Sequence, residues 1–161
     1  MTRSLRLTLA ALACASLSTG ALAASDRQFL TKAMRGDNSE MRLGRMAERR
    51  GHSPAVRRFG AMLVRDHAHA KAQALPVARA HGLASTSMMM PEARTEAGKL
   101  AHLSGVSFDR EFARYMVEDH RKDVADFHKQ ARTGDRRTAA LARQTLPVLR
   151  KHLRVAKSIA G

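Results

Sequence analysis

The chain has 161 residues, enough for one domain with a core of its own, and a formal net charge of +15. Aromatic residues make only 4%, with one Tyr and no Trp, whereas Ala, Leu, Met, Arg and Lys abound, so the composition disfavours β-sheet and favours helix. No stretch has the form of a phosphate-binding glycine loop, a nucleophilic triad or a cofactor motif, and the sequence therefore points to no familiar enzyme class.

The N-terminus has the three-part plan of a secretory signal peptide. A basic start of six residues precedes an apolar run to about Leu17, which is too short to span a bilayer. The segment Ala21–Ala23 offers small residues at both positions that signal peptidase reads. We therefore expect a signal peptide over residues 1–23, a mature domain over residues 24–161, and a periplasmic or secreted protein.

Cys14, the only cysteine, lies in the predicted signal peptide and leaves with it. The alternative is a lipoprotein acylated at Cys14, which Ala11 disfavours because a leucine is usual at its position. After cleavage the chain has no thiol for a disulfide or a metal thiolate. The removed segment holds two of the 29 basic residues and none of the 14 acidic ones, so the mature chain keeps a charge of +13.

The basic residues are scattered along the chain, as expected for the solvated faces of helices. Export and the scarcity of aromatic stacking platforms disfavour nucleic acid as a partner. Anionic envelope polymers or lipid headgroups are the electrostatic partners that this charge would attract. A soluble basic surface without a partner is the simpler alternative.

Apolar residues recur at three- and four-residue steps in four long segments, which predicts four helices. The first is expected to begin at Ser25 as N-cap and to stop at Gly51. The second begins at Ser53-Pro54, with the serine as N-cap, and ends at Gly82.

A linking segment over residues 83–106 follows, with a short helix from about 92 to 103. The third helix is expected from Ser107 as N-cap to a break at Gly134-Asp135, and the fourth follows that break. Two helical hairpins joined by one long crossover describe an all-α, ferritin-like four-helix bundle.

The pattern Phe-x-x-x-Leu/Met-Val-x-Asp-His occurs twice, ending at His67 in the second helix and at His120 in the third. In each copy the Phe, the Leu or Met and the His share one helix face, so both histidines point toward the core. Both lie about 22 Å along the helix from a hairpin turn, and His152 reaches the same level within about 3 Å. On the first helix Glu40 and Asp37 lie at that height, which predicts a buried polar layer.

The functional interpretation of this layer is a transition-metal site for Fe, Mn, Zn or Cu. The candidate ligands, one from each helix, are Glu40, His67, His120 and His152, and the residues that would orient or join them are Asp37, Asp66 and Asp119. The structural alternative is that the histidines form hydrogen bonds that fix helix register without an ion. A ferroxidase is not expected, because the Glu-x-x-His pattern of di-iron bundles does not occur on two helices.

An enzyme is the least favoured class. Asp119 beside His120 offers acid–base chemistry, but no nucleophile or oxyanion donor accompanies them in a familiar arrangement. The run Met88-Met89-Met90 offers thioether ligands for Cu(I), yet it is better explained as adaptable packing that caps the open end of the bundle.

Six spaced motifs together carry a family resemblance. The three longest of them are Met62-Leu63-Val64-x-Asp66-His67, Tyr115-Met116-Val117-x-Asp119-His120 and Leu146-Pro147-x-Leu149-x-x-His152-Leu153. Over roughly residues 26–158 the chain resembles the bacterial family called domain of unknown function 4142. The resemblance implies an exported, ferritin-like bundle with no assigned activity. Its recurring polar positions correspond to Glu40, Asp66, His67, Asp119, His120 and His152. The high basicity and the methionine run depart from the family pattern.

Overall fold

The computed structural model describes residues 11–161, with side chains from Gly20 onward. Over these residues the chain forms five helices and no strand, which confirms the all-α prediction. The helices are α1 (Ala11–Arg50), α2 (Pro54–Ala80), α3 (Pro91–Ala101), α4 (Gly105–Thr133) and α5 (Arg136–Ala160).

The helices pack as two hairpins. Helix α1 lies along α2, and α4 lies along α5. The hairpins meet through contacts of α2 with α5 and of α1 with α4, and the short helix α3 touches both α1 and α4. Within residues 11–161, no helix combines the length and the hydrophobicity that a membrane span needs.

Several helix ends agree with the local sequence signals. Ser53 is the N-cap of α2, its hydroxyl accepting a hydrogen bond from the backbone N–H of Val56. At the other end of α2, Gly82 has a φ of 72°, and Leu83 donates its N–H to the carbonyl of Ala78 in a Schellman motif. Asp135 caps α5 by accepting from the N–H of Thr138.

Two of the predicted starts were wrong. Helix α1 already includes the residues before Ser25, because the Ala- and Leu-rich stretch there continues the helix and makes a cap unnecessary. Helix α4 begins at Gly105 with Ser104 as its N-cap, so Ser107 lies in the first turn. Most of the predicted signal peptide, including residues 1–10 and the side chain of Cys14, lies outside the described residues.

The core consists of two apolar clusters, which lie at different heights along the four long helices. One cluster contains residues near the α1–α2 turn and the start of α4, such as Leu43, Phe59 and Phe112. The other lies toward the opposite end and contains Phe29 and Leu141. The predicted polar layer falls between the two clusters on α1, α2, α4 and α5.

The methionine run, predicted to cap the open end of the bundle, lies partly against the core. Met89 and Met90 are partly buried and pack against the first cluster, and Met90 also donates its N–H to the hydroxyl of Ser39. Met88 is 57% exposed and does not pack against the first cluster. The run is held by its backbone: Asn38 donates to the carbonyl of Met88, which leaves the Met88 side chain turned to solvent.

Candidate metal centre

Three helices bring three buried histidines together. His67 is 4% exposed, and His120 and His152 are fully buried. Their ring centroids are 5.3–6.0 Å apart. Each offers one ring nitrogen, and the three nitrogens lie within 4.8 Å of one another. The spacing argument therefore placed these three side chains in the correct layer.

In each ring one nitrogen is fixed by an acceptor. The Nδ1 of His67 lies 2.9 Å from Oδ1 of Asp37, and the Nε2 of His152 lies 3.0 Å from Oδ2 of Asp66. The Nδ1 of His120 lies 3.0 Å from the carbonyl oxygen of Met116. Because each acceptor requires an N–H, these contacts fix which nitrogen of each ring carries a proton.

The other nitrogen of each ring is buried without a hydrogen-bond partner: Nε2 of His67, Nε2 of His120 and Nδ1 of His152. In the tautomers just described these atoms carry lone pairs. Metal-binding histidines have this arrangement, with one nitrogen on the ion and the other donating to a carboxylate or a backbone carbonyl.

The protonation state of the rings suits metal binding. Burial lowers the pKa of His120 well below that of a free histidine, and the neighbouring His67 lowers it further. Burial also lowers the pKa of His152 to about 4, although its hydrogen bond to Asp66 opposes the shift. Both rings are neutral at pH 7, the form in which imidazole binds a metal.

We expect His152 to make the stability of the metal-free protein depend on pH. Its folded-state pKa is about 4, below the 6.5 of the unfolded chain, so unfolding takes up a proton between these values. The stabilisation is complete above pH 6.5 and falls by about 2 kcal/mol between pH 7 and pH 5. Glu40 and Asp123 have raised pKa values and act in the opposite direction, because they increase the stability of the folded state as pH falls.

The measurement is therefore a difference between wild type and His152→Gln. Urea unfolding at pH 7, 6 and 5 should show the wild type losing stability relative to the variant as pH falls. A difference that stays constant with pH would show that the ring of His152 is not held neutral in the folded protein.

Asp37 and Asp66, two of the predicted carboxylates, form hydrogen bonds with the histidines but are not members of the three-histidine group. Asp37 is buried against His67; burial raises its pKa, and the hydrogen bond with His67 opposes that shift. Burial also raises the pKa of Asp66, but the hydrogen bond from His152 and the nearby Arg65 outweigh it and lower the pKa overall. The sequence pattern predicts that these carboxylates either orient the ligands or join them. For Asp37 and Asp66 the structure shows the first role, a hydrogen bond that orients a ring.

Glu40 lies apart from the three-histidine group. It is 1% exposed and forms a separate group with Asp119 and His120, its Oε1 lying 3.7 Å from Nδ1 of His120. Burial, and next the charge of Asp119, raise the pKa of Glu40 well above its usual range. The four candidate ligands thus divide into two groups that share His120.

Sequence reasoning missed Asp123. This half-buried residue lies one turn beyond Asp119 on α4, and burial together with Asp119 raises its pKa well above the usual range. The spacing Asp119-x-x-x-Asp123 places both carboxylates on one helix face and was the available signal.

Two small cavities reach the layer from the side of α1 and α4. One, of about 20 Å³, is lined by residues that include Asp37, His67 and Asp123. The other, of about 30 Å³, is lined in part by Asp119, Asp123 and Tyr115. Each has room for a water molecule or an ion, and both present carboxylates in a chain that is strongly basic overall.

A third cluster, remote from the layer, has a structural role. Asp26 accepts hydrogen bonds from the side chain of Gln130 and from the backbone N–H of Asp135. The Nε2 of His81 lies 3.2 Å from Oδ2 of Asp135 and 3.2 Å from the hydroxyl of Thr138. These contacts tie α1 and the end of α2 to the α4–α5 turn. His81 therefore lies with this turn.

Three other histidines, His52, His102 and His128, are exposed.

The chain was compared with known proteins by sequence and by fold. No curated protein matches it. Its fold is similar to that in the crystal structure of a DUF305 fragment from Deinococcus radiodurans, with a TM-score of 0.74 over 85% of this chain and 95% of that chain. The two sequences are 20% identical, so the likeness concerns the fold alone. Residues 11–159 match the family described as "Domain of unknown function (DUF4142)", as the spaced motifs had indicated, and the chain therefore belongs to the DUF4142 family.

Proposed function

We propose that this protein is an exported, ferritin-like four-helix-bundle protein that binds a transition-metal ion through His67, His120 and His152. One observation carries the proposal: three buried ring nitrogens from three helices lack any hydrogen-bond partner in the protein. Each such atom costs about 1–3 kcal/mol when it is left unsatisfied. An ion among the three lone pairs satisfies all of them at once.

A purely structural histidine network accounts for the site less well. In such a network the ring nitrogens would donate to and accept from one another or from nearby carboxylates. Here the N–H groups of His67 and His152 are already directed to Asp37 and Asp66, so no ring has a proton left for its neighbours. The remaining atoms are acceptors only, and a bound cation would give all three a partner.

The donor set narrows the choice of ion. Three imidazole ligands suit Zn, Cu or Fe, and a three-histidine site leaves a coordination position open. The carboxylates behind His67 and His152 raise the basicity of the rings and strengthen their hold on the ion. Mn, the fourth candidate, fits this site least well, because it prefers carboxylate and water ligands to imidazole.

We infer that the ion is held rather than used to transform an organic substrate. The cavity beside His67 measures about 20 Å³, which admits water or an ion. Binding sites for small molecules are commonly about 300–1,000 Å³. Storage or buffering of a metal fits an enclosed site of this size.

Two features support the export and the bundle architecture. The N-terminal sequence has the plan of a cleaved signal peptide, and cleavage after Ala23 would keep Asp26, which ties α1 to the α4–α5 turn. The contacts of α1 with α4 and of α2 with α5 are those of two hairpins closed into a four-helix bundle.

The direct test is titration of the mature, untagged, chelator-treated protein with Zn, Cu, Mn and Fe(II), followed by calorimetry and melting temperature. An ion bound only by the folded state raises the melting temperature. The proposal expects one tightly bound ion per chain. No binding of any of the four ions would leave the histidines with a structural role only.

We expect Asp66→Asn and Asp37→Asn each to weaken metal binding about 10- to 100-fold, since each removes the acceptor that orients a ligating ring. Calorimetric titration of each variant measures the loss. Glu48→Gln, an exposed change on α1, is the matched control and should bind as wild type does. Unchanged affinity in both Asp variants would argue against a metal on these rings.

One observation favours a second function, attachment to an anionic polymer or to lipid headgroups. Helix α5 contains no acidic residue, and all of its Lys and Arg side chains are exposed: Arg136, Arg137, Arg143, Arg150, Lys151, Arg154 and Lys157. A surface of this kind binds anions with an affinity that falls as salt rises. Sedimentation with phosphatidylglycerol vesicles at two salt concentrations tests it, and the histidine variants should behave as wild type.

A further inference from the structure

Glu40 is a deeply buried carboxyl group in the polar layer. It is 1% exposed, and neither of its carboxylate oxygens has a hydrogen-bond partner. Leaving a buried carboxylate without donors is far costlier than leaving a neutral polar group, so such groups are paired or bind metals. Two candidate neighbours, Asp119 and His120, offer atoms within 4.8 Å.

The charge around Glu40 is not balanced by the protein. Among residues 20–161, no Lys or Arg nitrogen lies within 4.0 Å of Glu40, Asp119 or Asp123, and the nearby amines have other partners. Lys32 pairs with Asp126, and Lys122 pairs with Glu118. Glu40 and Asp119 therefore lie without a directly paired Lys or Arg, although Lys32 and Lys122 line the neighbouring cavity.

We propose that Glu40 and Asp119 form a second cation site, beside His120, for a divalent ion that prefers oxygen ligands, of which Mn²⁺ is the representative. The inference deepens the proposed function and rests on it through the shared His120. The second site differs from the first in its ligands and in the class of ion that it selects.

The orientation of His120 separates the two sites. Its Nδ1 donates to the carbonyl of Met116 and lies 3.7 Å from Oε1 of Glu40, whereas its Nε2, on the other side of the ring, has no hydrogen-bond partner. The two nitrogens of an imidazole point to different sides of the ring. An ion bound to Nε2 of His120 therefore could not also have Glu40 as a close ligand unless the side chains rearranged. With both sites filled, the ring of His120 would lie between the two ions.

The surroundings supply the rest of an oxygen-rich site. A cavity of about 30 Å³ is lined by oxygen-bearing residues that include Ser39, Tyr115, Asp119 and Asp123, and also by Lys32 and Lys122, which pair with carboxylates outside it. It has room for water. Ions such as Mg²⁺ and Mn²⁺ are commonly held by one or two carboxylates together with water, in contrast to the imidazole ligands of the first site.

The test uses Mn²⁺ as the probe. Wild-type protein carrying one equivalent of Zn²⁺ is titrated with Mn²⁺, and free Mn²⁺ is followed by its electron paramagnetic resonance signal. We expect one further equivalent of bound Mn²⁺. Glu40→Gln should weaken Mn²⁺ binding at least tenfold and change Zn²⁺ affinity less than threefold, and Glu48→Gln is the matched control. Asp119→Asn provides a second variant should Glu40→Gln fail to fold.

A His67→Ala, His152→Ala variant completes the design, because it removes two ligands of the first site and leaves His120 in place. Retained Mn²⁺ binding with lost Zn²⁺ binding supports the second site. If wild-type protein binds Zn²⁺ but not Mn²⁺, the second site alone is overturned. If wild-type protein binds Mn²⁺ but not Zn²⁺, the proposed function alone is overturned. Loss of both ions in Glu40→Gln would indicate one mixed site and would also overturn the inference.

Discussion

The double variant His67→Ala, His120→Ala is expected to lose tight transition-metal binding, with an affinity at least 100-fold below that of wild type. Two of three converging nitrogens are removed, and the remaining His152 cannot hold an ion alone. At a free-ion concentration 100 times the Kd, the ion should stabilise the wild type by about 2.7 kcal/mol. This corresponds to a rise of roughly 5–10 °C in melting temperature, which the variant should not show.

The matched control is His69→Ala, His128→Ala, which removes the same number of histidines from the same two helices. Both side chains are exposed, so they contribute to no buried group. The control should bind and melt as wild type does. If both double variants keep full affinity, the ion lies elsewhere and the buried histidines serve only the packing of the helices.

Replacing Gly60 by Ala is expected to destabilise the fold by about 3 kcal/mol, because α1 and α2 touch backbone to backbone at this residue. A Cβ at Gly60 would lie 2.5 Å from the carbonyl oxygen of Gly44 and 2.5 Å from the backbone nitrogen of Glu48. Backbone atoms cannot rotate out of the way as a side chain can, so the helices must separate. Urea unfolding of the metal-free protein measures the loss.

The same substitution should also weaken metal binding, since α1 carries Asp37 and α2 carries His67, which meet across this interface. Gly98→Ala in α3 is the control: no atom lies within 4 Å of a Cβ there, and alanine is expected to stabilise the helix by about 0.5–1 kcal/mol. Equal stability of the Gly60 and Gly98 variants would contradict the close helix contact.

Local signals in the sequence determined most of the helical framework. Ser53 and Asp135 cap their helices as predicted, because a capping side chain bonds to the backbone of its own first turn. Ser25 and Ser107 carry the same type of signal and do not cap. A cap signal states where a helix can begin, whereas the neighbouring residues decide whether it begins earlier.

The helical period also determined which side chains face the core. The repeat that ends at His67 and at His120 sets a Phe, a Leu or Met and a His on one face, and the structure buries all of them. Counting residues from the turns placed His152 at the same height. Height along an axis follows from a fixed rise per residue, so the sequence alone was sufficient to predict the layer.

Only the tertiary structure decided how that layer is divided. Glu40 and His152 share a height, but which neighbour a side chain meets depends on the rotation of each helix about its axis and on the distance between helices, which packing sets. The directions of the ring nitrogens depend on Asp37 and Asp66, residues 30 and 86 positions away in the chain from their histidines. The sequence by itself thus determined an all-α protein with a buried histidine layer, and packing between distant segments decided that three imidazole rings meet and that Glu40 forms a separate group with Asp119 and His120.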